Sequence, residues 1–417
     1  MRRTLLALLV LPLLAVACSD DGGGSAEGGS GEVSIDAVPV ADRSRPSPDD
    51  DPTVAGAPTL DLGVRLLGEL DGDGNTIISP ASIAIALAMV EPGATGDAQP
   101  QLRELLGIVD PAQYHAAMNA LEQSLETREA ADHEEGELTA RISNGAYLQQ
   151  GYPFEQAYLD TIGRYYGPVL NEVDVAADAD AVAEQINADV AEATNDRITE
   201  LIPPGTLSPD TVLALVNALY LNASWQEPFD AEATEDGTFT TPDGEVTVPL
   251  MHGASSTSAA GDGWVAATKR YVGGLEAQFV LPDEDRFDDV EVTEAFDTLA
   301  QGGIGAELVV PNFESRYQSS LTDALQALGL TAPYQNGNLL GIADDDRLVV
   351  SDVIHETWLE MDEEGTEAAA ATAVLAVATG LPQGEPVPVV LDRPFWFRIW
   401  DPQTATTLFL GRVTDPS

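Results

Sequence analysis

The sequence predicts one large α+β domain behind an export signal and a polar tether. Three observations predict it. Helical and strand-like hydrophobic patterns are mixed along the chain without strict βαβ alternation. No internal repeat divides the chain. Hydrophobic residues make up 44% of the 417 residues, enough for a substantial core.

Met1 to Ala17 opens with Arg2 and Arg3, continues in the apolar run Leu5 to Val16, and ends on a small residue. The run is too short to span a bilayer, so residues 1–17 read as a signal peptide. Cys18, the sole cysteine, follows Leu14-Ala15-Val16-Ala17 directly, and an intramolecular disulfide is therefore excluded. Residues 18–58 are rich in Gly, Ser, Asp and Pro and read as a flexible acidic tether. Residues 59–417 are the expected folded domain.

Within that domain, Thr59 to Leu70 carries apolar residues at helical spacing. Asp71-Gly72-Asp73-Gly74-Asn75 breaks it as a turn. It lacks the glycine and the bidentate glutamate that a calcium loop needs, since Thr76 and Ser82 stand at those places. Thr76 to Ile78 is a short strand, and Ser79-Pro80 caps a helix through Met89. Leu102 to Leu106, Tyr114 to Leu125, Phe154 to Tyr165 and Ala179 to Thr194 read as helices. Leu138 to Gln149 is a strand, and the apolar run Thr211 to Leu221 is a strand buried on both faces. Thr238 to Val248 is a hairpin turning at Thr241-Pro242-Asp243-Gly244. Strands continue through Val265 to Leu281, around Gly273-Gly274, and at Leu308 to Pro311. Leu321 to Leu328 is a helix closed by Gly329. Arg347 to Glu356, Thr357 to Met361, Val387 to Leu391, Phe395 to Trp400 and Thr407 to Val413 are strands.

The stretch from Glu363 to Gly384 resists this reading. Ala368 to Ala371 favour helix, whereas Gly365 before them and Pro382 after them favour extended backbone. It is either a short alanine helix or an exposed loop able to become a strand.

Charge excludes several functions. The 70 acidic and 18 basic residues leave a net charge of −52, and Lys269 is the only lysine. Nucleic-acid binding needs clustered Lys and Arg, as does a basic patch on anionic lipid. The acidity fits solubility in high salt, where self-repulsion is screened. Catalytic constellations are missing too. The four histidines are His115, His133, His252 and His355, and no two stand at metal-ligand spacing. Gly-x-Ser-x-Gly, Ser-x-x-Lys, Walker and dinucleotide motifs do not occur. The chain is not expected to be an enzyme, and no metal or cofactor is expected.

Four separated stretches together resemble the serpin family. Asn75 to Ile83, followed by Ala86 to Gly96, resembles the family's strand-to-helix signature. Leu215-Val216-Asn217-Ala218-Leu219-Tyr220-Leu221 through Trp225 and Pro228-Phe229 is similar to a second. His355 to Ala371 resembles the hinge, and Asp392 to Phe397 with Leu408 to Val413 resembles the C-terminal signature. They occur in family order. The resemblance implies a fold of three β-sheets, about eight or nine helices and an exposed reactive-centre loop. It implies a suicide inhibitor of serine proteases, with cysteine proteases as alternative targets, that traps the acyl-enzyme by inserting the cleaved loop into the largest sheet. The alternative in the same family is a non-inhibitory binding or structural lipoprotein.

What the resemblance implies for residues follows. Glu363, Gly365, Thr366, Glu367, Ala368, Ala369, Ala370, Ala371 and Thr372 form the hinge. Counting from Gly365 places the reactive bond at Thr379-Gly380, with Ala378 and Leu381 as alternatives. Ser79, Ser82, Asn217 and His355 match a polar shutter beneath the opening sheet, which is equally a buried network needed for folding. Trp225 reads as core packing. Cys18 sits where a lipobox cysteine is lipidated, although a signal peptide cut nearby would leave it incidental. The implied location is the outer face of the cell membrane, as a secreted, anchored monomer. The expected partner is an elastase-like or subtilisin-like protease with a small or apolar pocket, since no Arg or Lys occurs from Glu363 to Leu391.

Overall fold

Three antiparallel-rich sheets and nine α-helices make up the described part of the chain in a computed structural model. The described residues are 36–37, 41–70, 74–129, 136–287, 289–366 and 386–417. In chain order the helices are α1 Thr53–Gly56, α2 Pro58–Glu69, α3 Pro80–Val90, α4 Ala98–Leu106, α5 Pro111–Glu129, α6 Gln156–Tyr166, α7 Ala179–Ala193, α8 Val292–Ala300 and α9 Thr322–Ala327. The strands are β1 Asp36–Ala37, β2 Thr76–Ile78, β3 Leu138–Gln149, β4 Val169–Val173, β5 Leu213–Ser224, β6 Glu235–Thr241, β7 Gly244–Ala254, β8 Thr257–Gly261 and β9 Trp264–Arg270. They continue as β10 Glu276–Pro282, β11 Glu307–Pro311, β12 Phe313–Ser320, β13 Ile354–Met361, β14 Gly365–Thr366, β15 Val389–Val390, β16 Phe395–Asp401 and β17 Thr406–Val413.

The largest sheet has the order β1-β4-β3-β5-β14-β13-β12, the second β2-β17-β16-β10-β9-β8, and the third β15-β11-β7-β6. Helix α3 starts where the sequence places it: the Ser79 hydroxyl accepts from the Ser82 N–H at 3.2 Å, and Pro80 takes the first helical position. Ten of its eleven residues are buried, so it is apolar all round and runs through the core. On β5, odd positions such as Leu219, Leu221 and Ala223 face the main core, while Val216 and Ala218 pack against Ile186 and Val190 of α7. Burial on both faces explains the unbroken apolar run. Gly411 on β17 lets β2 approach closely, because a Cβ there would lie 2.5 Å from the Thr76 carbonyl oxygen.

Several expectations need correction. Residues 347–353, read as a strand, have no regular structure; β13 begins only at Ile354, where its ladder with β12 starts at Ser320. Apolar residues alone do not make a strand without a neighbour to pair with. Helix α8 and strands β4, β8 and β12 were not expected. Strand β12 is a sheet edge whose outward positions are polar, so its sequence carries little hydrophobic signal. Residues 41–57, assigned by composition to the tether, are packed on the domain. Arg43 donates to Asn119 (3.0 Å), Glu122 (2.8 Å) and Glu126 (2.7 Å) on α5, and α1 follows at Thr53. Cys18, the turn residues 71–73 and the stretch 367–385 lie outside the described residues.

Glu122 is almost fully buried, and burial pushes its carboxyl up to about 8 against the lowering effects of Arg43 and Asn144. A folded pKa above the unfolded value means that stability falls as pH rises from about 4.5 to about 8. Arg43→Ala is therefore expected to cost more at pH 9 than at pH 6, by roughly 2 kcal/mol, because only the ionised carboxylate needs the guanidinium. Urea unfolding at the two pH values checks this. The same substitution in a Glu122→Gln background should lose the pH dependence, and an unchanged difference would contradict the assignment.

Candidate functional site

The candidate site is the seam between β5 and β13. After Met361 the chain turns tightly. The Asp362 side-chain carboxylate accepts the N–H groups of Glu364 (2.8 Å) and Gly365 (2.9 Å), while the Asp362 N–H donates to the Gly365 carbonyl at 3.0 Å. The turn returns the chain as β14, antiparallel to both neighbours: Gly365 pairs with Ser224, and Thr366 with Ala223 and Met361. Strands β5 and β13 show no direct pairing among the described residues, and each is bonded to β14. At the level of β14 that sets them two strand spacings apart, about 9.6 Å.

An aromatic clamp fixes the turn at the top of the seam. The Trp225 indole N–H donates to the Asp362 carbonyl at 3.0 Å, and its backbone N–H to the Glu364 carbonyl at 2.8 Å. The Phe229 N–H reaches the Glu363 carbonyl at 2.9 Å, and the Thr234 hydroxyl reaches the Glu363 carboxylate at 2.6 Å. Tyr271 stacks on Trp225 with centroids 4.1 Å apart, and its hydroxyl lies 2.6 Å from the Thr366 hydroxyl. Lys269 sits 4.0 Å over the Phe229 ring, and burial lowers its ammonium to about 8. Trp225 is core, as expected, and also binds the turn. Phe229 stands in a motif of the family without a site role assigned to it, and Tyr271 and Thr234 stand in none. No sequence signal joins residues so far from Glu363 along the chain; only the sheet brings them together.

Lower down, a cavity of about 690 Å³ lies between the start of β5 and the irregular residues 347–353. Ile83, Ala86 and Leu87 of α3 form its apolar floor, and Ser82, Asn217 and His355 also line it. His355 Nε2 accepts the Ser79 backbone N–H at 3.0 Å, and the Thr357 hydroxyl donates to the Ile77 carbonyl at 2.5 Å. Both bonds tie β13 to the β2–α3 junction. Asn217 instead donates to Asn144 at 2.7 Å, and its own side-chain oxygen has no partner among the described residues. Ser79, Ser82 and His355 are thus one cluster, with Asn217 on the facing strand and not bonded to them. Glu363, Gly365 and Thr366 lie in the turn and β14. Glu367, Ala368 to Ala371, Thr372, and Ala378 to Leu381 lie outside the described residues. Among the described residues no group of three or more His, Cys, Asp and Glu side chains could hold a metal ion.

Burial lowers the His355 imidazole to about 4. A folded pKa below the unfolded value of 6.5 means that stability is present above pH 6.5 and lost as pH falls toward 4. Protonation also removes the acceptor for the Ser79 N–H. The expected loss is about 3 kcal/mol across that window. Comparing urea midpoints of the wild type with His355→Gln between pH 7 and pH 4 isolates it; parallel curves would contradict the neutral, buried imidazole.

The comparisons agree with this geometry. The family model described as Serpin (serine protease inhibitor) matches residues 59–416. An uncharacterized serpin-like protein of Thermococcus kodakarensis is 32% identical over 373 residues, covering 86% of this chain and 84% of that protein. Human neuroserpin is 30% identical over 389 residues, covering 85% and 90%. The crystal structure of tengpin, a thermophilic serpin in the native state, has a similar fold at a TM-score of 0.75 and 23% identity, with 91% and 99% covered. Serpins are generally protease inhibitors rather than catalysts. The chain belongs to the serpin family.

Proposed function

We propose that the protein is an extracytoplasmic suicide inhibitor of serine proteases. The observation that carries the reading is the place of Gly365 and Thr366, hydrogen-bonded to both β5 and β13. That pairing supports a register for a further strand. Thr366 faces Ala223 and Met361; six residues further along the loop is six residues back along each neighbour. In an inserted strand Thr372 would fall between Asn217 and His355, at the level of the polar cluster. Alternate positions share a face of a strand, so Ala368, Ala370, Thr372 and Val374 would there turn to the same side as Thr366, toward the core. Those side chains are small or modest and uncharged, which is the condition for entering a packed sheet. Glu367 would turn the other way.

In this reading the protease serine attacks the Thr379 carbonyl and releases the Gly380 amine, leaving an acyl-enzyme. Insertion then carries the acylated end across the sheet. From Thr366 to Thr379 an extended chain covers roughly 45 Å. About ten new backbone hydrogen bonds at about 1 kcal/mol each give a driving force on the order of 10 kcal/mol. The cavity between β5 and residues 347–353 lies on that path. Residues near the bond are small or apolar, which fits elastase-like or subtilisin-like pockets. The signal sequence and Cys18 support export and anchorage by lipid, with the domain held outside the membrane.

Incubation with elastase or subtilisin is expected to give an SDS-stable complex, and mass spectrometry a C-terminal peptide beginning at Gly380. Cleavage with neither a complex nor a gain in heat stability would overturn inhibition, and a peptide starting outside 379–382 would overturn the register. Thr366→Arg places a charge against Tyr271 in a buried position. It should turn the inhibitor into a substrate, raising the molar ratio needed for full inhibition on the order of tenfold or more.

A further inference from the structure

The six-stranded sheet holds a buried cation that no part of the inhibitory reading uses. Helix α8 packs across β8, β9 and β10, with Phe296 on its inner side. Beneath it a polar row crosses the sheet: Thr268 on β9 pairs with Gln278 on β10, which pairs with Arg398 on β16. Gln278 is fully buried, and Arg398 is 4% exposed. The guanidinium is flanked by the Phe296 and Trp400 rings, with its carbon 5.2 and 5.0 Å from their centroids.

Its hydrogen-bond partners among the described residues are both neutral. Nε donates to the Thr407 hydroxyl at 3.0 Å, and one Nη1 hydrogen donates to the Gln278 side-chain oxygen at 3.3 Å. A guanidinium carries five N–H groups, so three are left over. No carboxylate lies within ion-pair distance of Arg398 among the described residues. Asp297 and Glu276 act on it only at longer range, and Glu276 is itself bonded to Arg270 at 3.2 Å. Burial pushes the Arg398 guanidinium down to about 9, against the raising effects of Asp297 and Glu276.

More unpartnered polar atoms lie on the same three strands. Gln278 Nε2 and Trp400 Nε1 are buried and have no hydrogen-bond partner among the described residues, and neither has the Thr268 hydroxyl. Turning the Gln278 amide over does not help, because it would set an NH₂ group against the Arg398 N–H. The row therefore holds a positive charge and more N–H donors than acceptors, the Thr268 hydroxyl being its one unpartnered acceptor among the described residues. Buried polar groups are nearly always paired, and a buried charge without a counter-charge is the costliest case. The chemistry that satisfies all of them is one small anion. In a chain with 70 acidic residues, the lack of a carboxylate here leaves that place to a diffusible ion.

We propose that Arg398, Gln278 and Trp400 form a buried site for a small monovalent inorganic anion, chloride in salt solution, held beneath α8. Arg398 supplies the charge, Gln278 Nε2 and Trp400 Nε1 supply neutral donors, and the aromatic rings on either side exclude larger anions. The ion neutralises the row and fastens α8 to the sheet.

Crystals of the mature chain soaked in sodium bromide test this directly. An anomalous bromide peak within hydrogen-bond reach of Arg398 and Gln278 is expected; density there with no anomalous signal would identify water and overturn the proposal. In solution, melting is compared in sodium chloride and in sodium gluconate at equal ionic strength, the gluconate ion being too large to enter. The midpoint should be higher in chloride by on the order of 3 °C. Arg398→Met, which fills the slot between the rings without charge, should abolish the increment. Gln278→Leu keeps the cation and should raise the chloride concentration needed on the order of tenfold, which preserves the test if Arg398→Met does not fold. Equal midpoints in the two salts for the wild type, or an undiminished increment in the variants, would overturn the site.

Discussion

The spacing of β5 and β13 is the constraint on which the rest of the structure depends. Two central strands of a sheet normally share a ladder, since an unpaired buried N–H or C=O costs as much as a lost hydrogen bond. Here they are held a strand's width apart by Gly365 and Thr366 alone among the described residues. Whatever occupies the seam below Thr366 must present a backbone edge to both sides and small side chains to the core. A soft, reshapable surface would not impose such a rule. The rule comes from α3 and α7, which cover the two faces of the sheet and fix how much volume an added strand can bring.

Each end of the seam is held by different chemistry. At the top, main-chain hydrogen bonds from Trp225 and Phe229 grip the turn, and the Trp225–Tyr271 stack stands behind them. Backbone bonds do not depend on the turn's side chains, so the grip survives variation at Glu363 and Glu364. In the middle, the grip is by side chains: His355 and Thr357 bind the backbone at Ser79 and Ile77. These bonds hold β13 to the core without needing β5 at all. On the opposite bank, the side-chain oxygen of Asn217 has no partner among the described residues.

That opposite bank is tied outward. Asn217 donates to Asn144, which donates to Glu122, which Arg43 binds at the entrance to the domain. The segment that composition assigns to a tether thus ends in a hydrogen-bonded chain reaching the seam. Arginine suits this role better than lysine, because one planar fork reaches Asn119, Glu122 and Glu126 together. The molecule spends few basic residues, and it places them where geometry is demanding. Arg128 forks onto fully buried Asp401 at 2.8 and 2.6 Å, and Arg103 reaches Glu91 at 2.6 Å.

How much of this was legible in the sequence follows from where the information resides. Ser79-Pro80 announces α3 because a cap and an N1 proline act within four residues. Thr241 to Gly244 announces its hairpin for the same reason, and β5 shows its double burial in an unbroken apolar run. The stretch 347–353 is as apolar as a strand, yet its fate depends on whether a partner stands beside it, which no local pattern encodes. The spacing of Val292, Ala295, Phe296 and Leu299 in α8 is amphipathic, but nine residues give only a short pattern. The candidate site divides in the same way. Gly365, Thr366, Ser79 and His355 fall inside family motifs, and the fold places them along the seam. Tyr271, Phe229 and Thr234 are joined to the turn by sheet geometry alone, and Asn217 was grouped with His355 although its hydrogen bond runs to Asn144. A motif names the residues at a seam, and only the register says which of them meet.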